Sequence, residues 1–326
     1  MSLRSSSPLL SVVIPTHNRA TLLSRSLESL VHQSLDRALF EVVVVDDGSE
    51  DDTADVCLKA SRSLDLRHVF IQASGISAAK NLGIFVARAP LLFFFDDDDV
   101  ASPELLARHV EAHRKYPAEH VAVLGYTTWA PGLTVTPVMH YVTDVGGFLF
   151  CYGPLHHGQQ LDFTYFWGGR SSCKRSLLAQ HGIFNQTFTF GSEDIELAFR
   201  LTRFAFQIVY DPNAVQYMNR AVTFDEFCAR CERQGRSQAV FSRLHADRRV
   251  REHCEVVGAA ERWAAVESRL AGAVARVHEL EKMLEPSPRH QRQALIDELH
   301  SLYRFTFNGF KTKGIVETTG LSLTAA

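Results

Sequence analysis

Over the first hundred positions, runs of consecutive apolar residues alternate with amphipathic stretches. LLSVVIP, FEVVVVDDG, LRHVFIQ and PLLFFF read as strands, and TLLSRSLESLVHQSL, DTADVCLKASRSL and SAAKNLGIFVAR read as helices between them. Strands that are apolar throughout, rather than at every second residue, are buried on both faces. Strand and helix in alternation give a parallel sheet covered by helices. In the first helix Leu22, Leu23, Leu27, Leu30 and Val31 share one face, with Thr21 as the expected cap, and Asp51, Asp52 and Thr53 announce the second. Ser102 with Pro103 opens a further helix and Pro117 closes it, before the strand HVAVLGY.

The regular pattern breaks from Thr127 to Gly169, a stretch rich in glycine, proline, histidine and aromatics that is too long for an idle connector. Trp129, Tyr165, Phe166 and Trp167 are candidates there for stacking on a ligand, or for packing. After about residue 220 only helical patterns remain. Trp263, Val266, Leu270, Ala273, Val277, Leu280 and Leu284 repeat at alternating spacings of three and four, and Pro286, Ser287 and Pro288 then turn the chain into RHQRQALIDELHSLYRFTF. That stripe is expected to be buried, either within the chain or across a homodimer. The expected division is an α/β domain over 1–220 and a helical extension over 221–326.

Composition narrows the class. The chain has 46% hydrophobic and 22% charged residues, an ordinary globular balance, and its formal charge of -3 points to no nucleic-acid partner. Six cysteines scattered over 326 residues do not make a disulfide scaffold and fit reduced thiols in a cytoplasm. The CARC sequence at Cys228 to Cys231 lacks the second pair that a zinc site needs. The start, MSLRSSSPLLSVVIP, reads as a strand rather than a signal peptide. No apolar run reaches the roughly 18–20 residues that cross a bilayer. Peripheral docking at the inner face of a membrane stays open.

The sharpest chemistry lies at two strand ends. PLLFFF runs directly into Asp96, Asp97, Asp98 and Asp99, and EVVVV into Asp46 and Asp47. Open α/β sheets bind ligands at the carboxyl ends of their strands. Two carboxylates ~5 Å apart repel by roughly 3 kcal/mol at an effective dielectric near 20, so a cluster of them favours a cation. Hard oxygen ligands suit Mg²⁺ or Mn²⁺, commonly completed by substrate phosphates. A carboxylate also accepts the N–H of a nucleobase. Taken alone, each acidic end is also compatible with turn and capping chemistry.

In this order, SVVIPTHNR, VVVVDDGSEDDT, SGISAAKNLGIFVA, LLFFFDDDD and GSEDIELAFRL closely resemble the family-two inverting glycosyltransferases of the GT-A fold, over about residues 9–235. The resemblance implies a Rossmann-like, mostly parallel sheet with helices on both faces. It implies that Pro15, Thr16, Asn18 and one of Asp46 or Asp47 surround the base and ribose of a nucleotide diphosphate sugar, UDP-linked by preference. Asp96, Asp97 and Asp98 match the family's D-x-D motif, with Asp96 nearer the ribose and Asp98 the direct ligand of Mn²⁺ or Mg²⁺; Asp96 is the second metal candidate. Asp194 is the expected catalytic base, with Glu193 as its rival. Two positions depart from the pattern. Lys80 stands where relatives carry an arginine near the donor, keeping a charge for phosphate but not the bidentate fork. Met218 stands where many relatives have a histidine, so no histidine ligand is expected there.

Inverting transfer needs one base to take the acceptor's proton, while a metal relieves the leaving diphosphate of any need for an acid. GSEDIEL and DDDD supply that inventory. A sugar nucleotidyltransferase would share the sheet and metal but would carry a glycine-rich, basic loop after its first strand, which PTHNRATLL lacks. A non-catalytic sugar-nucleotide-binding protein is the other alternative, and the retained Asp98 and Asp194 count against it.

Overall fold

The computed structural model describes residues 7–284 and 288–320. The expected turn at Pro286 and Ser287, and the first six residues of the expected strand-like start, lie outside them. In chain order the elements are β1 (Leu10–Thr16), α1 (Ala20–Val31), β2 (Phe40–Asp47), α2 (Thr53–Ala60), β3 (Leu66–Ile71), α3 (Ile76–Val86), β4 (Leu91–Phe94), β5 (Asp99–Ala101), α4 (Leu105–Lys115) and β6 (Val121–Trp129). There follow α5 (Pro137–His140), β7 (Gln160–Leu161), β8 (Ser171–Lys174), α6 (Arg175–His181), α7 (Glu193–Leu201), β9 (Gln207–Met218), α8 (Phe224–Leu244), α9 (Arg248–Cys254), α10 (Ala259–Leu284) and α11 (Arg289–Thr319). The chain forms two compact units. The first comprises Met1–Leu133, Pro154–Thr189 and Glu193–Arg220, and the second Thr134–Gly153, Phe190–Ser192 and Ala221–Ala326.

The first unit is built on one mixed sheet with strand order β3-β2-β1-β4-β8-β6-β9-β5, and β7 pairs with β9. β1 lies between β2 and β4, parallel to both, and β3 extends the parallel part beyond β2. Side chains of a strand alternate between faces. Val42 and Val44 therefore pack with Leu23, Leu27 and Leu30 of α1, whereas Val43 and Val45 pack with Ala79 of α3. Both faces of β2 are covered, which is why its sequence is four consecutive valines. Each fully buried valine contributes roughly 1.5–3 kcal/mol relative to an exposed one.

The start of α1 differs from expectation. Thr21 does not cap it; the helix begins at Ala20, whose N–H donates to Asp51 Oδ2 at 2.8 Å. Asp51 Oδ1 accepts from the N–H of Thr53 at 3.2 Å and from its hydroxyl at 2.5 Å. One carboxylate thus satisfies the starts of two helices, which ties the loops after β1 and β2 together at the sheet's carboxyl edge.

The second unit is helical around α8, α10 and α11. Thr223 and Glu226 form a reciprocal capping box at the start of α8. Leu270, Val277 and Leu280 of the heptad stripe are buried, and α10 packs on α11 within this unit. Trp263, Val266, Ala273 and Leu284 of the same stripe stay partly exposed. The irregular stretch before β7 gives this unit an aromatic cluster, with Tyr141 buried and its ring centroid 5.5 Å from that of Tyr303 and 6.0 Å from that of Phe148. Where α8 crosses α11, Gly235 faces the backbone carbonyl of Lys311 and Gly314 that of Glu232, leaving no room for a Cβ at either position.

The crossing sets two effects against each other at Gly235. Alanine is favoured over glycine inside a helix by about 1 kcal/mol, whereas forcing a methyl against fixed backbone costs about 1–3 kcal/mol. The clash outweighs the propensity, so Gly235→Ala lowers the midpoint of urea unfolding followed by circular dichroism. A midpoint equal to or above the parent's would mean that the two helices do not approach this closely.

Candidate active site

Register places the carboxyl ends of three parallel strands side by side, with Thr16 opposite Asp46 and Val13 opposite Phe94. Asp96, Asp97 and Asp98 therefore emerge beside the end of β1. Thr16 donates its hydroxyl to Asp97 Oδ2 at 2.8 Å, and Arg19 Nη1 donates to Asp97 Oδ1 at 2.8 Å. Burial pushes the Asp97 carboxyl up to about 6, with Asp98 adding to the rise and Arg19 opposing it. On the other side of β1, Asp46 is buried, accepts from the Ser49 N–H at 2.8 Å and lies 3.2 Å from His68 Nε2. Asp47 is more open and receives the N–H groups of Ser74 and Gly75, at 2.7 and 2.9 Å, before α3. Asn18, exposed and with φ of 52°, bridges the two loops by accepting from Glu50 N and donating its own N–H to Ser49 Oγ, both at 2.8 Å. Pro15 is half-buried at the end of β1.

The acidic strand end is neutralised by guanidinium groups. Arg170 Nη2 lies 3.1 Å from Asp96 and 3.2 Å from Asp99. Asp99 is out of water, and burial holds its carboxyl well above the usual range against the pull of Arg170, while Gln216 also donates to it. Asp98 meets Arg19 at 3.4 Å and Arg220 at 3.3 Å, longer contacts than the Arg19–Asp97 pair. Arg220 follows two residues after Met218, which pairs with Asp99 across β9 and β5. Arg220 thus brings a cation to Asp98 from the end of β9.

The segment before β8 closes over these groups through two glycines. A Cβ on Gly169 would overlap the Asp96 carboxylate, and one on Gly168 would stand 2.6 Å from Lys80 Nζ and 3.3 Å from Asp194 Oδ2. The N–H of Gly168 donates to Asp194 Oδ2 at 2.7 Å, and Asp194 Oδ1 accepts from Ile195 N at 2.8 Å in the first turn of α7. Burial and the adjacent Glu193 carboxylate lift the Asp194 carboxyl to about 6, against Lys80 and the two backbone N–H groups. Glu193 is buried and bound to Lys80 at 2.8 Å, whereas Asp194 is only partly covered. Of the two residues, Asp194 is the less buried.

The residues singled out from sequence thus gather in two neighbouring groups. Pro15, Thr16, Asn18, Asp46, Asp47, Asp96, Asp97 and Asp98 lie around the ends of β1, β2 and β4. Lys80, Glu193 and Asp194 form a charge cluster that reaches the first group through Gly168 and Gly169. Lys80 is 2% exposed, with its ammonium on Glu193. The sequence reading did not single out Arg19, Arg170, Gln216 or Arg220. Buried carboxylates must be paired, so four successive aspartates signal nearby cations, but spacing cannot say which arginines arrive. Trp129 and Phe166 are packing residues, Phe166 meeting Phe206 edge-on at 5.4 Å. Cys228 and Cys231 are buried thiols, and burial pushes Cys231 up to about 12 and Cys228 further, away from thiolate chemistry.

Asp96 and Asp98 are the more open carboxylates of the cluster, with 29% and 20% of their side chains exposed. Among the described residues no three or more His, Cys, Asp or Glu side chains are grouped to hold a metal. Two carboxylates are nevertheless the usual protein share of a Mg²⁺ or Mn²⁺ site that substrate phosphates and water complete. The donor set fits such an ion.

A mixed sheet whose parallel part carries acidic strand ends, with helices on both faces and an acidic helix start beside them, is the GT-A fold of nucleotide-sugar enzymes. The profile described as Glycosyl transferase family 2 matches residues 11–178, and the chain belongs to that family. It is 35% identical over 217 residues to validoxylamine A glucosyltransferase of Streptomyces hygroscopicus subsp. jinggangensis, a match covering 60% of this chain and 51% of that protein. It is 27% identical over 222 residues to the hyaluronan synthase of Pasteurella multocida, covering 60% of this chain and 23% of the synthase. The matched region is thus about half the length of the first relative. Among solved structures, the mannosyltransferase PcManGT of Pyrobaculum calidifontis, in complex with GDP-Man and Mn²⁺, matches with a TM-score of 0.63 at 21% identity, covering 97% of this chain and 88% of that one. TarS residues 1–349 of S. aureus, in complex with UDP, matches with a TM-score of 0.56 at 16% identity, covering 96% and 92%. These likenesses show a shared fold.

Arg170 favours the ionised form of Asp99 against the pull of burial, and breaking a buried pair costs about 3–5 kcal/mol when the remaining acid stays charged, less when it takes up a proton. Arg170→Leu should therefore lower stability in denaturant unfolding by up to about that much, with the loss growing as pH rises through the raised range of Asp99. A loss that is the same at about pH 5 and pH 8 would mean that Asp99 does not depend on Arg170.

Proposed function

We propose that the chain is an inverting glycosyltransferase that moves a sugar from a nucleotide diphosphate sugar, UDP-linked, to a hydroxyl of a glycan or lipid-linked acceptor. The observation that carries this reading is Asp194, a partly open carboxyl lifted to about 6 beside an acidic strand end. A general base works best with a proton affinity close to the working pH. Glu193 is the weaker candidate because it is buried against Lys80.

In this reading the base and ribose lie over the ends of β1 and β2, with Pro15, Thr16 and Asn18 around them and Asp47, the more open of its pair, accepting a base N–H. Asp98 and Asp96 would hold Mn²⁺ or Mg²⁺. When bound there, such a cation supplies charge stabilisation for the departing diphosphate. Asp194 takes the acceptor's hydroxyl proton as the acceptor oxygen bonds to the anomeric carbon and the bond to the diphosphate breaks. Attack from the face opposite the leaving group inverts that carbon. UDP as the nucleotide is supported by the family resemblance and by the UDP complex of TarS, whereas PcManGT was solved with GDP-Man. No helix among the described residues is long and apolar enough to cross a membrane. A thermal-shift panel of UDP-, GDP- and dTDP-sugars with and without Mn²⁺ identifies the donor, because binding at 100 times the dissociation constant stabilises by about 2.7 kcal/mol.

Two substitutions test the separate roles. Asp98→Asn is expected to weaken both UDP binding and its enhancement by Mn²⁺ in calorimetric titrations; undiminished, metal-enhanced binding would remove Asp98 from the site. Asp194→Asn keeps the size and helix position but removes basicity, so donor binding persists while turnover falls by about 10²–10⁴-fold. Turnover within a few-fold of the parent at saturating donor and Mn²⁺ would eliminate Asp194 as the base.

A further inference from the structure

Lys80 points inward, to a carboxylate of its own chain. Its side chain is 2% exposed, and its ammonium lies 2.8 Å from Glu193 Oε1. Burial pulls that ammonium toward neutrality, but Glu193, Asp194 and Asp96 together hold its pKa above the ordinary lysine value. It is a fixed positive charge. The same point beside Gly168, where a Cβ would stand, is 2.6 Å from Lys80 Nζ and 3.3 Å from Asp194 Oδ2. Lysine and aspartate therefore flank a single glycine, and any side chain there would push between them. Glu193 Oε2 is buried and has no hydrogen-bond partner among the described residues, so half of that carboxylate has only electrostatic company.

We propose that Lys80 is a positioning residue for Asp194, its ammonium and the Glu193 carboxylate acting as opposed charges that set the proton affinity of the base. The role rests on the reading of Asp194 as the base, but the arrangement of charges does not. The groups that face Asp194 are Glu193 on α7, Lys80 on α3 and the N–H of Gly168 on the loop before β8; Asp96, past the end of β4, acts on Lys80 from the other side. A simple ion pair would hold α3 to α7 without controlling a neighbour's proton. Here the third member of the cluster is the partly open carboxylate.

The two charges predict shifts of opposite sign. Without the ammonium the Asp194 anion loses its counter-charge, so Lys80→Met raises the protonation midpoint above that of the parent. Without the second carboxylate the anion gains relative stability, so Glu193→Gln lowers it. A shift of about one pH unit each way, tenfold in proton affinity, is the expected size.

The measurement is a carbon-13 carboxyl NMR titration of aspartate-labelled protein from about pH 4 to 9, with the Asp194 resonance assigned by its loss in Asp194→Asn. It needs neither donor, acceptor nor metal. Opposite displacement in the two variants supports the proposal, whereas unmoved midpoints or shifts of the same sign overturn it. If Lys80→Met does not fold, Lys80→Gln, which removes the charge but keeps a donor toward Glu193, takes its place, a raised midpoint supporting the proposal and an unchanged one refuting it. The acid limb of turnover must move with the resonance. Should Asp194→Asn retain turnover while the midpoints still shift, the base assignment fails and the positioning role falls with it, leaving a charge cluster without a catalytic partner. Should Asp194→Asn be inactive and the midpoints stay fixed, only the role of Lys80 fails.

Discussion

A carboxylate removed from water without a partner costs several kcal/mol, and one end of this sheet takes Asp46, Asp97, Asp99 and Glu193 out of contact with solvent together. Much of the local architecture follows from meeting that cost. Arg170 spans Asp96 and Asp99, Arg19 reaches Asp97 and Asp98, Lys80 enters from α3 to Glu193, and Thr16 and Gln216 donate to Asp97 and Asp99. The compensation is uneven. Asp99 is boxed in, whereas Asp98 is held by two longer contacts and remains partly open. A cluster neutralised in this graded way encloses its inner members and leaves Asp96 and Asp98 partly open.

Charge compensation at such short range requires backbones to come close, and glycine is what permits it. Gly168 and Gly169 let the segment before β8 lie against Lys80, Asp194 and Asp96, so a loop N–H reaches the Asp194 carboxylate. Gly235 and Gly314 do the same for the crossing of α8 and α11 in the helical unit. In both places the missing side chain matters because of what occupies the space in its stead.

Most of the parallel sheet was legible in the chain itself. Continuous apolar runs such as Val42 to Val45 have no meaning except burial on two faces, and the aspartates that follow Phe95 mark the strand's carboxyl end. The heptad positions Leu270, Val277 and Leu280 likewise announced a buried stripe, because a period near 3.5 puts them on one side of a helix. The start of α1 was misjudged at Thr21 because the true partner of Ala20, Asp51, lies 31 residues away and a local capping rule cannot see it.

The class of fold, the family and the two acidic motifs are legible in the chain alone, since these depend on local periodicity and on residue types that stand next to one another. Folding settles which cations answer the acids, that Lys80 is turned inward to Glu193, that Asp194 is less buried than Glu193, and that residues 134–153 belong with the C-terminal helices. Those choices come from contacts between residues far apart in the chain. The Lys80 to Glu193 pair spans 113 positions and the Arg170 to Asp96 pair 74, and no local pattern carries the register of one strand against another that brings them together.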